Sequence, residues 1–377
     1  MKQNIKVGYL CFQNPENKRI WSGTHYTLMM AIKNVGFEVV NLSPIELPRS
    51  YHRLLTVYNK IHRIFSKKQI NEEYTFLLAY FSSRHFHKVI AANKIDVLFC
   101  PAATAAIPFL KTRIPIIFFN DTTYDQLKNY YSNEPKFSKF SDFESSLVQK
   151  LALKKADRVL FSSTWAKNFA VRFYNLRITK VDTAILGSNL PIPPIIIKKD
   201  FTEEIVFLFV GVVWERKGGQ IVLSTLEHLS NKGYNVKMIV VGAKPPVESP
   251  LIKYVGFLDK NLPEDEKKLS EYFRTSHFLF VPSRAECYGI VFSEASAFGL
   301  LVISTDTGGI SSIIKNKKNG FLLPISADFV DYSHLIENLL TNPVELQKLS
   351  LECREIYDQK LDWRNFGATF TTCCHDI

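Results

Sequence analysis

The stretch 277–299, reading HFLFVPSRAECYGIVFSEASAFG, decides how the rest of the chain is to be read. Its apolar run HFLFV stops at Pro282 and Ser283 and reads as a strand. IVFSEASAFG repeats its apolar residues with helical period and closes on Gly299. Glu286 and Glu294 stand eight positions apart within it. In one continuous helix, at roughly 1.5 Å of rise per residue, that spacing would hold them about 12 Å apart, too far to share one bond. Glu286 is therefore placed in a loop and Glu294 in the helix that follows. Such a loop, at the carboxyl end of a strand in an α/β sheet, is where these folds bind ligands, with free N–H groups at the helix start. Two carboxylates so placed can grip the hydroxyls of one polar ligand. Taken alone, they are equally well a solvated loop residue and an exposed helix residue.

On either side of this stretch, the runs EIVFLFVG (204–211), VKMIVVG (236–242), YVGF (254–257), LVIST (301–305) and NGFLLP (319–324) read as strands, with helices at 219–230 and 264–274. The first half has the same alternation. KVGYLCF (6–12), FEVVNL (37–42), IDVLFC (95–100), IPIIFF (114–119), DRVLFS (157–162) and KVDTAIL (180–186) read as strands, with helices at 24–35 and 164–174 and a long polar-helical region before IDVLFC. Short buried-type strands separated by helices specify parallel sheets covered on both faces. A length of 377 residues suits two cores rather than one. The fold class is α/β, with two Rossmann-like halves and a ligand cleft expected between them. Three prolines in SNLPIPPIIIKKD (188–200) prevent regular pairing and read as a linker. The expected division is a first domain over 1–187, a linker over 188–202, a second domain over 203–360 and a closing helix over 361–377. Trp363 and Phe366 anchor that helix, which is expected to pack back on the first domain. No GxGxxG follows the first strand, so a dinucleotide site in the usual place lacks its fingerprint.

Composition narrows the class. Ordinary apolar content and modest glycine exclude disordered, collagen-like and fibrous chains. The opening MKQNIKVGYLCF holds too short an apolar run for a signal peptide, and no stretch of about 20 uncharged apolar residues follows, so a cytoplasmic protein is expected. The six cysteines (Cys11, Cys100, Cys287, Cys353, Cys373 and Cys374) are scattered without CxxC spacing, as reduced thiols are. Cys373, Cys374 and His375 are neighbours, but at a terminus expected to fray, and no metal site is expected there.

The net charge of +11 asks for an anionic partner. Arg49, Arg53, Lys60, Arg63, Lys67 and Lys68 occur with no acid between them, while Leu54, Leu55, Val57, Tyr58, Ile61, Ile64 and Phe65 recur at helical spacing. This basic amphipathic helix either lies on anionic lipid headgroups, at the inner face of a membrane, or packs its apolar stripe on the domain core and solvates its basic face. There is no zinc-finger spacing, RNP-like aromatic motif or Arg-rich tail, so nucleic acid is not an expected partner.

Two further strand-loop-helix corners carry chemistry. EIVFLFVG runs into VVWERKGG, which places Arg216 and Lys217 on a loop before a helix opening at Gly218 and Gly219. Arginine forks onto phosphate oxygens, lysine adds a point charge, and glycine lets the backbone approach an anion. Trp214 is a bulky choice for a simple exposed turn. After LVIST, STDTGGISS places Gly308 and Gly309 at another helix start. A basic corner for a diphosphate, a carboxylate corner for hydroxyls and a glycine corner beside them match the parts of a nucleotide sugar.

The glutamate, seven residues and second glutamate, with Gly289 and Gly299 in phase and then Gly308, Gly309, Asn319 and Gly320, resemble the donor-binding domain of the retaining GT-B glycosyltransferases of family 4 over residues 207–324. The resemblance implies two Rossmann-like domains facing a central cleft. It implies that Glu286 contacts the donor sugar as a catalytic residue and that Glu294 holds the ribose. Lys217 falls on the family's diphosphate lysine. The family arginine is Val212 here, so Arg216 supplies the second cation. Tyr288, Gly289, Ile290, Gly308 and Gly309 complete the implied donor contacts. In the first domain WSGTHYTL, with Gly23, resembles the family's glycine loop. The histidine that many members place after a central strand is absent. Asn120 and Asp121 stand there instead, and Asp121 is the candidate to take its role; His25, His85 and His87 are also available. Ser312 and Leu301 replace a frequent acidic residue and a frequent proline.

The implied activity is transfer of a hexose, with retention, from a nucleoside-diphosphate sugar to an acceptor hydroxyl. The nucleotide sugar is a co-substrate, no cofactor or metal ion is expected, and no DxD motif is present. The acceptor is an unidentified glycan or lipid-linked molecule, in cell-envelope or surface polysaccharide synthesis. A glycoside hydrolase using both glutamates would leave the basic corner without a task. A non-catalytic sugar-nucleotide-binding or scaffolding protein of the same fold is the alternative that Val212 and the missing histidine keep open.

Overall fold

A computed structural model describes residues 5–128, 130–131 and 135–377, so the first four residues of the opening stretch lie outside it. The chain divides into a first unit that ends at Ala184 and takes back the residues from Phe366 onward, and a second unit from Ile185 to Asn365.

The first unit holds six strands: β1 (Lys6–Tyr9), β2 (Glu38–Asn41), β3 (Val97–Pro101), β4 (Ile116–Asn120), β5 (Arg158–Phe161) and β6 (Val181–Thr183). They pair in parallel in the order β2-β1-β3-β4-β5-β6. Every residue of β3 and β4 is buried, which is why both read as continuous apolar runs rather than alternating ones. Helices Phe76–Ala91, Lys139–Lys155 and Thr164–Tyr174 begin on Thr75, Ser138 and Ser163, whose hydroxyls accept first-turn N–H groups. The end of the chain is not frayed. Phe366 and Phe370 lie against Phe99, with ring centroids 6.2 Å and 5.1 Å away, and Cys373 and Cys374 are buried on the same side.

The basic helix spans Arg49–Phe65, and its apolar stripe is divided rather than packed. Tyr51 and Leu55 join a small core with Leu78 and Val148, while Leu54, Val57, Ile61, Ile64 and Phe65 stay exposed.

The second unit holds β7 (Ile205–Gly211), β8 (Val236–Gly242), β9 (Ile252–Gly256), β10 (Phe278–Val281), β11 (Leu301–Thr305) and β12 (Gly320–Leu323). They too are all parallel, in the order β9-β8-β7-β10-β11-β12. Counted from the first strand of this unit, that is the 3-2-1-4-5-6 order of a dinucleotide-binding sheet. The proline-rich stretch is not a free linker. Ser188, Asn189, Leu190 and Lys199 are buried, the carbonyl of Pro193 accepts from Arg354 Nη1 at 2.8 Å, and that of Ser188 accepts from Trp363 Nε1 at 2.7 Å. Prolines cannot join a ladder, but their carbonyls still bond, and side chains from the helical end of this unit use neighbouring carbonyls to tie the stretch down.

Candidate functional site

In the second unit β7 and β10 are neighbours, yet the chain leaves β7 towards β8 on one side and β10 towards β11 on the other. Loops that part in this way leave a crevice at the carboxyl ends of the two strands, the topological switch point where open α/β sheets bind ligands. The loop after β7 carries Arg216 and Lys217, and the loop after β10 carries Glu286.

Trp214 explains how the first loop is shaped. Its indole is buried against Phe209, with centroids 5.2 Å apart, and lies so close over Gly219 that a Cβ there would come within 2.2 Å of the ring. The loop therefore turns tightly into helix Gly219–Asn231 and directs Lys217 over the strand end. Lys217 is only 8% exposed and Glu286 only 7%, and the Lys217 ammonium is bonded to a Glu286 carboxylate oxygen. Arg216 Nη1 stands 3.7 Å from the same oxygen and donates to the carbonyl of Ala285 at 3.0 Å. The backbone joins the corners further: Arg284 N–H donates to the Arg216 carbonyl at 2.7 Å, and Gly309 N–H to the Glu286 carbonyl at 3.1 Å. The basic, carboxylate and glycine corners, far apart in the chain, are thus one cluster. Two cations against one carboxylate leave it with a net positive charge, suited to an anion.

The helix starts at this crevice are open. Gly218 and Gly289 occupy the N-cap positions of helices Gly219–Asn231 and Ile290–Ala297 in left-handed conformations, and neither supplies a side-chain cap. Gly219 N–H donates to the Trp214 carbonyl at 2.9 Å and Phe292 N–H to the Gly289 carbonyl at 2.9 Å, while the amides of Gln220 and Val291 carry no side-chain cap of the kind a serine or threonine would supply. At Gly289, with φ 85°, any other residue would be strained, and a Cβ would meet the Phe292 ring at 2.5 Å. Gly308, also left-handed, and Gly309 precede a helix of one turn, Ile310–Ile313.

Glu294 lies in the second turn of its helix, 2% exposed, and its carboxylate is 2.5 Å from the Lys260 ammonium. Lys260 comes from the loop between β9 and helix Pro263–Thr275 and was not singled out by the sequence. A lone lysine beside an aspartate in a polar loop gives no signal, and only folding brings it to Glu294. The Tyr288 side chain has a structural task. Its buried hydroxyl donates to the Leu186 carbonyl at 2.5 Å, accepts from the Leu186 amide at 2.9 Å and meets Ser293 Oγ at 3.1 Å. Only its backbone, and that of Ile290 at the helix start, is left for a ligand. Asn319 is likewise buried, its amide and carbonyl holding Ser296, Ile313 and Lys315.

In the first unit Gly23 caps helix Thr24–Asn34 with φ 91°, and Trp21 and Ser22 before it also have positive φ, 48° and 56°. Asp121 follows β4, and its carboxylate accepts from Trp21 Nε1 at 3.3 Å. His25 is a packed residue: its Nδ1 lies 3.0 Å from the Tyr9 hydroxyl, and burial lowers its pKa to about 4. A cavity of about 380 Å³ opens beside it, lined by Phe12, Gln13, His25, Glu72, Glu73 and Thr104. Among the described residues, no three His, Cys, Asp or Glu side chains gather as a metal site would need, Cys373 and Cys374 included.

Residues 194–355 match the family described as "Glycosyl transferases group 1". A D-inositol 3-phosphate glycosyltransferase of Rhodococcus erythropolis is 30% identical over 164 residues, 40% of this chain. The match spans only 36% of that relative's own length. Among solved structures, a sucrose-phosphate synthase from Thermosynechococcus elongatus superposes with a TM-score of 0.69 at 16% identity, covering 99% of this chain and 98% of its own. HepE from Anabaena, solved in complex with UDP and glucose, gives 0.65 at 15% identity over 99% and 100%. These likenesses establish the fold, the two-Rossmann type of the GT-B glycosyltransferases.

Proposed function

We propose that the chain is a retaining glycosyltransferase of family 4, moving a hexose from a nucleoside-diphosphate sugar to an acceptor hydroxyl in cell-envelope or surface polysaccharide synthesis. The observation that carries this is the buried cluster of Arg216, Lys217 and Glu286 at the β7–β10 switch point, beside two helix starts capped by glycine. The matched family and the UDP and glucose bound by HepE support the reading.

In this proposal the diphosphate lies on Arg216, Lys217 and the amides after Gly218, with Gly308 and Gly309 beside it. Glu294 holds the ribose with Lys260, and Glu286 faces the sugar that is transferred. As the glycosidic bond breaks, negative charge grows on the departing diphosphate, so two fixed cations and the helix starts stabilise the transition state more than the bound donor. Those charges do the neutralising, so neither a metal ion nor a cofactor is invoked. Asp121 and Gly23 belong to the first unit's share of the reaction, with Asp121 accepting a hydroxyl hydrogen bond. No side chain is assigned as a nucleophile. Buried cysteines with no disulfide among the described residues suit a reducing cytoplasm.

The test is incubation with a panel of UDP-, GDP- and ADP-sugars and candidate acceptors, measuring nucleotide release. Release from one donor class is expected. Binding of a donor without release, whatever the acceptor, would make the chain a non-catalytic sugar-nucleotide-binding protein of the same fold.

A further inference from the structure

Helix Arg49–Phe65 is seated through one side only. Tyr51 and Leu55 face the core, the Tyr58 hydroxyl donates to Glu144 Oε2 at 2.7 Å, and His62 Nε2 lies 2.7 Å from Ser138 Oγ. The next strip round the helix carries Leu54, Val57, Ile61, Ile64 and Phe65, at spacings that stack them along one line. They are 48%, 51%, 50%, 76% and 84% exposed. Arg53, Lys60 and Arg63 run along the far edge of that strip, and Lys67 and Lys68 continue beyond its end, all exposed. Single exposed apolar residues are ordinary, but five in a row bordered by cations are not. Helix Lys139–Lys155, which supplies Glu144, begins with two more exposed aromatics, Phe140 and Phe143.

The geometry points to a lipid-docking surface: helix Arg49–Phe65 lies in the plane of an anionic membrane, its apolar row among the upper acyl chains and its arginines and lysines on the phosphates above them. Charge complementarity selects this occupant. No acid occurs from residue 49 to residue 68, so the whole face presents one sign to a surface of the other. A second copy of the chain is a poor fit, because a two-fold contact would set this basic face against itself. Among the described residues no helix is long and apolar enough to cross a membrane, so the contact is peripheral. This surface is independent of the donor cluster, and its test needs no donor.

The experiment is co-sedimentation of the full chain with vesicles of phosphatidylcholine alone, or of equal parts phosphatidylcholine and phosphatidylglycerol, over a salt series. Binding to the anionic vesicles only is expected, weakening as salt shortens the screening length. Reversing Arg53, Lys60 and Arg63 to Glu should weaken it by more than about a hundredfold, since losing the three cations alone costs about fivefold each and the new carboxylates are repelled as well. Replacing Ile64 and Phe65 by Ser should weaken it about tenfold while leaving the salt dependence in place. All five side chains are exposed, so the variants should melt with the parent. Should one fail to fold, the lipid-charge and salt dependence of the unaltered chain still decides. Equal binding to both vesicles, undiminished binding by the Glu variant, or a dimer that Ile64→Asp dissolves would overturn the proposal.

Discussion

The two units share a plan of six parallel strands and differ in what stands at the strand ends. In the second unit the corner is a knot of charge, Arg216 and Lys217 on Glu286, beside helices that start on glycine. In the first unit the equivalent corner is aromatic, with Trp21 against His25 and Phe119 and the Asp121 carboxylate held by the indole, while Glu72 and Glu73 line the cavity beside His25. Most of that unit's other helices start on hydroxyls that cover their amides. A fold that is alike in backbone therefore presents a net-positive cluster in one half and an aromatic corner beside a partly acidic cavity in the other. On the proposed function, the net-positive cluster takes the diphosphate and the aromatic corner faces the acceptor.

The comparison breaks most visibly at Lys217. Lys217→Ala should lower the rate of nucleotide release at saturating donor by about a hundred- to a thousandfold, the cost of removing one fixed group that meets developing charge. Asp121→Ala, at the aromatic corner, should cost only about tenfold, the worth of one hydrogen bond to a charged group. If the two losses come out equal, or in the reverse order, the charge-bearing half has been misassigned.

The glycine caps are the next difference. Gly289→Ala should destabilise the fold by about 3 kcal/mol, combining a left-handed alanine with a clash on Phe292. Urea unfolding reads this directly, and a loss below about 1 kcal/mol would mean that the loop relaxes without needing glycine.

The smallest effect belongs to the first unit. His25 has a folded pKa of about 4 against an ordinary 6.5, because burial disfavours its charged form. The unfolded chain binds the extra proton, so this contribution is complete above pH 6.5 and is lost as the pH falls towards 4. The parent should lose about 2 kcal/mol more than His25→Gln across that window. Parallel stability curves for the two would show that His25 is not buried neutral.

Local pattern was enough for the α/β class, for the run of strands and for the helix over Thr164–Tyr174, because buried parallel strands and capped helices depend on near neighbours. It was not enough for the basic helix. Its period was plain, but which apolar residues meet the core depends on where Leu78 and Val148 lie. The stretch 188–200 is similar: proline forbids pairing, yet nothing local reveals that Arg354 takes the Pro193 carbonyl. At the candidate site, Glu286, Glu294, Arg216 and Lys217 were legible as charged residues on loops and helix starts. Lys260 was not, and nothing local shows that the Tyr288 hydroxyl is buried on the Leu186 backbone.

Local pattern along the chain specifies which elements form, where each turns, and the gathering of charge and glycine at the corners of the second half. Periodicity, capping and turn chemistry act over a few residues, so they are written locally. Tertiary structure alone decided that the basic and acidic corners are a single cluster, that Lys260 reaches Glu294, and that five apolar side chains on one helix are left facing outward. Those outcomes depend on strand order and on distances between residues far apart in the chain, which no local pattern encodes.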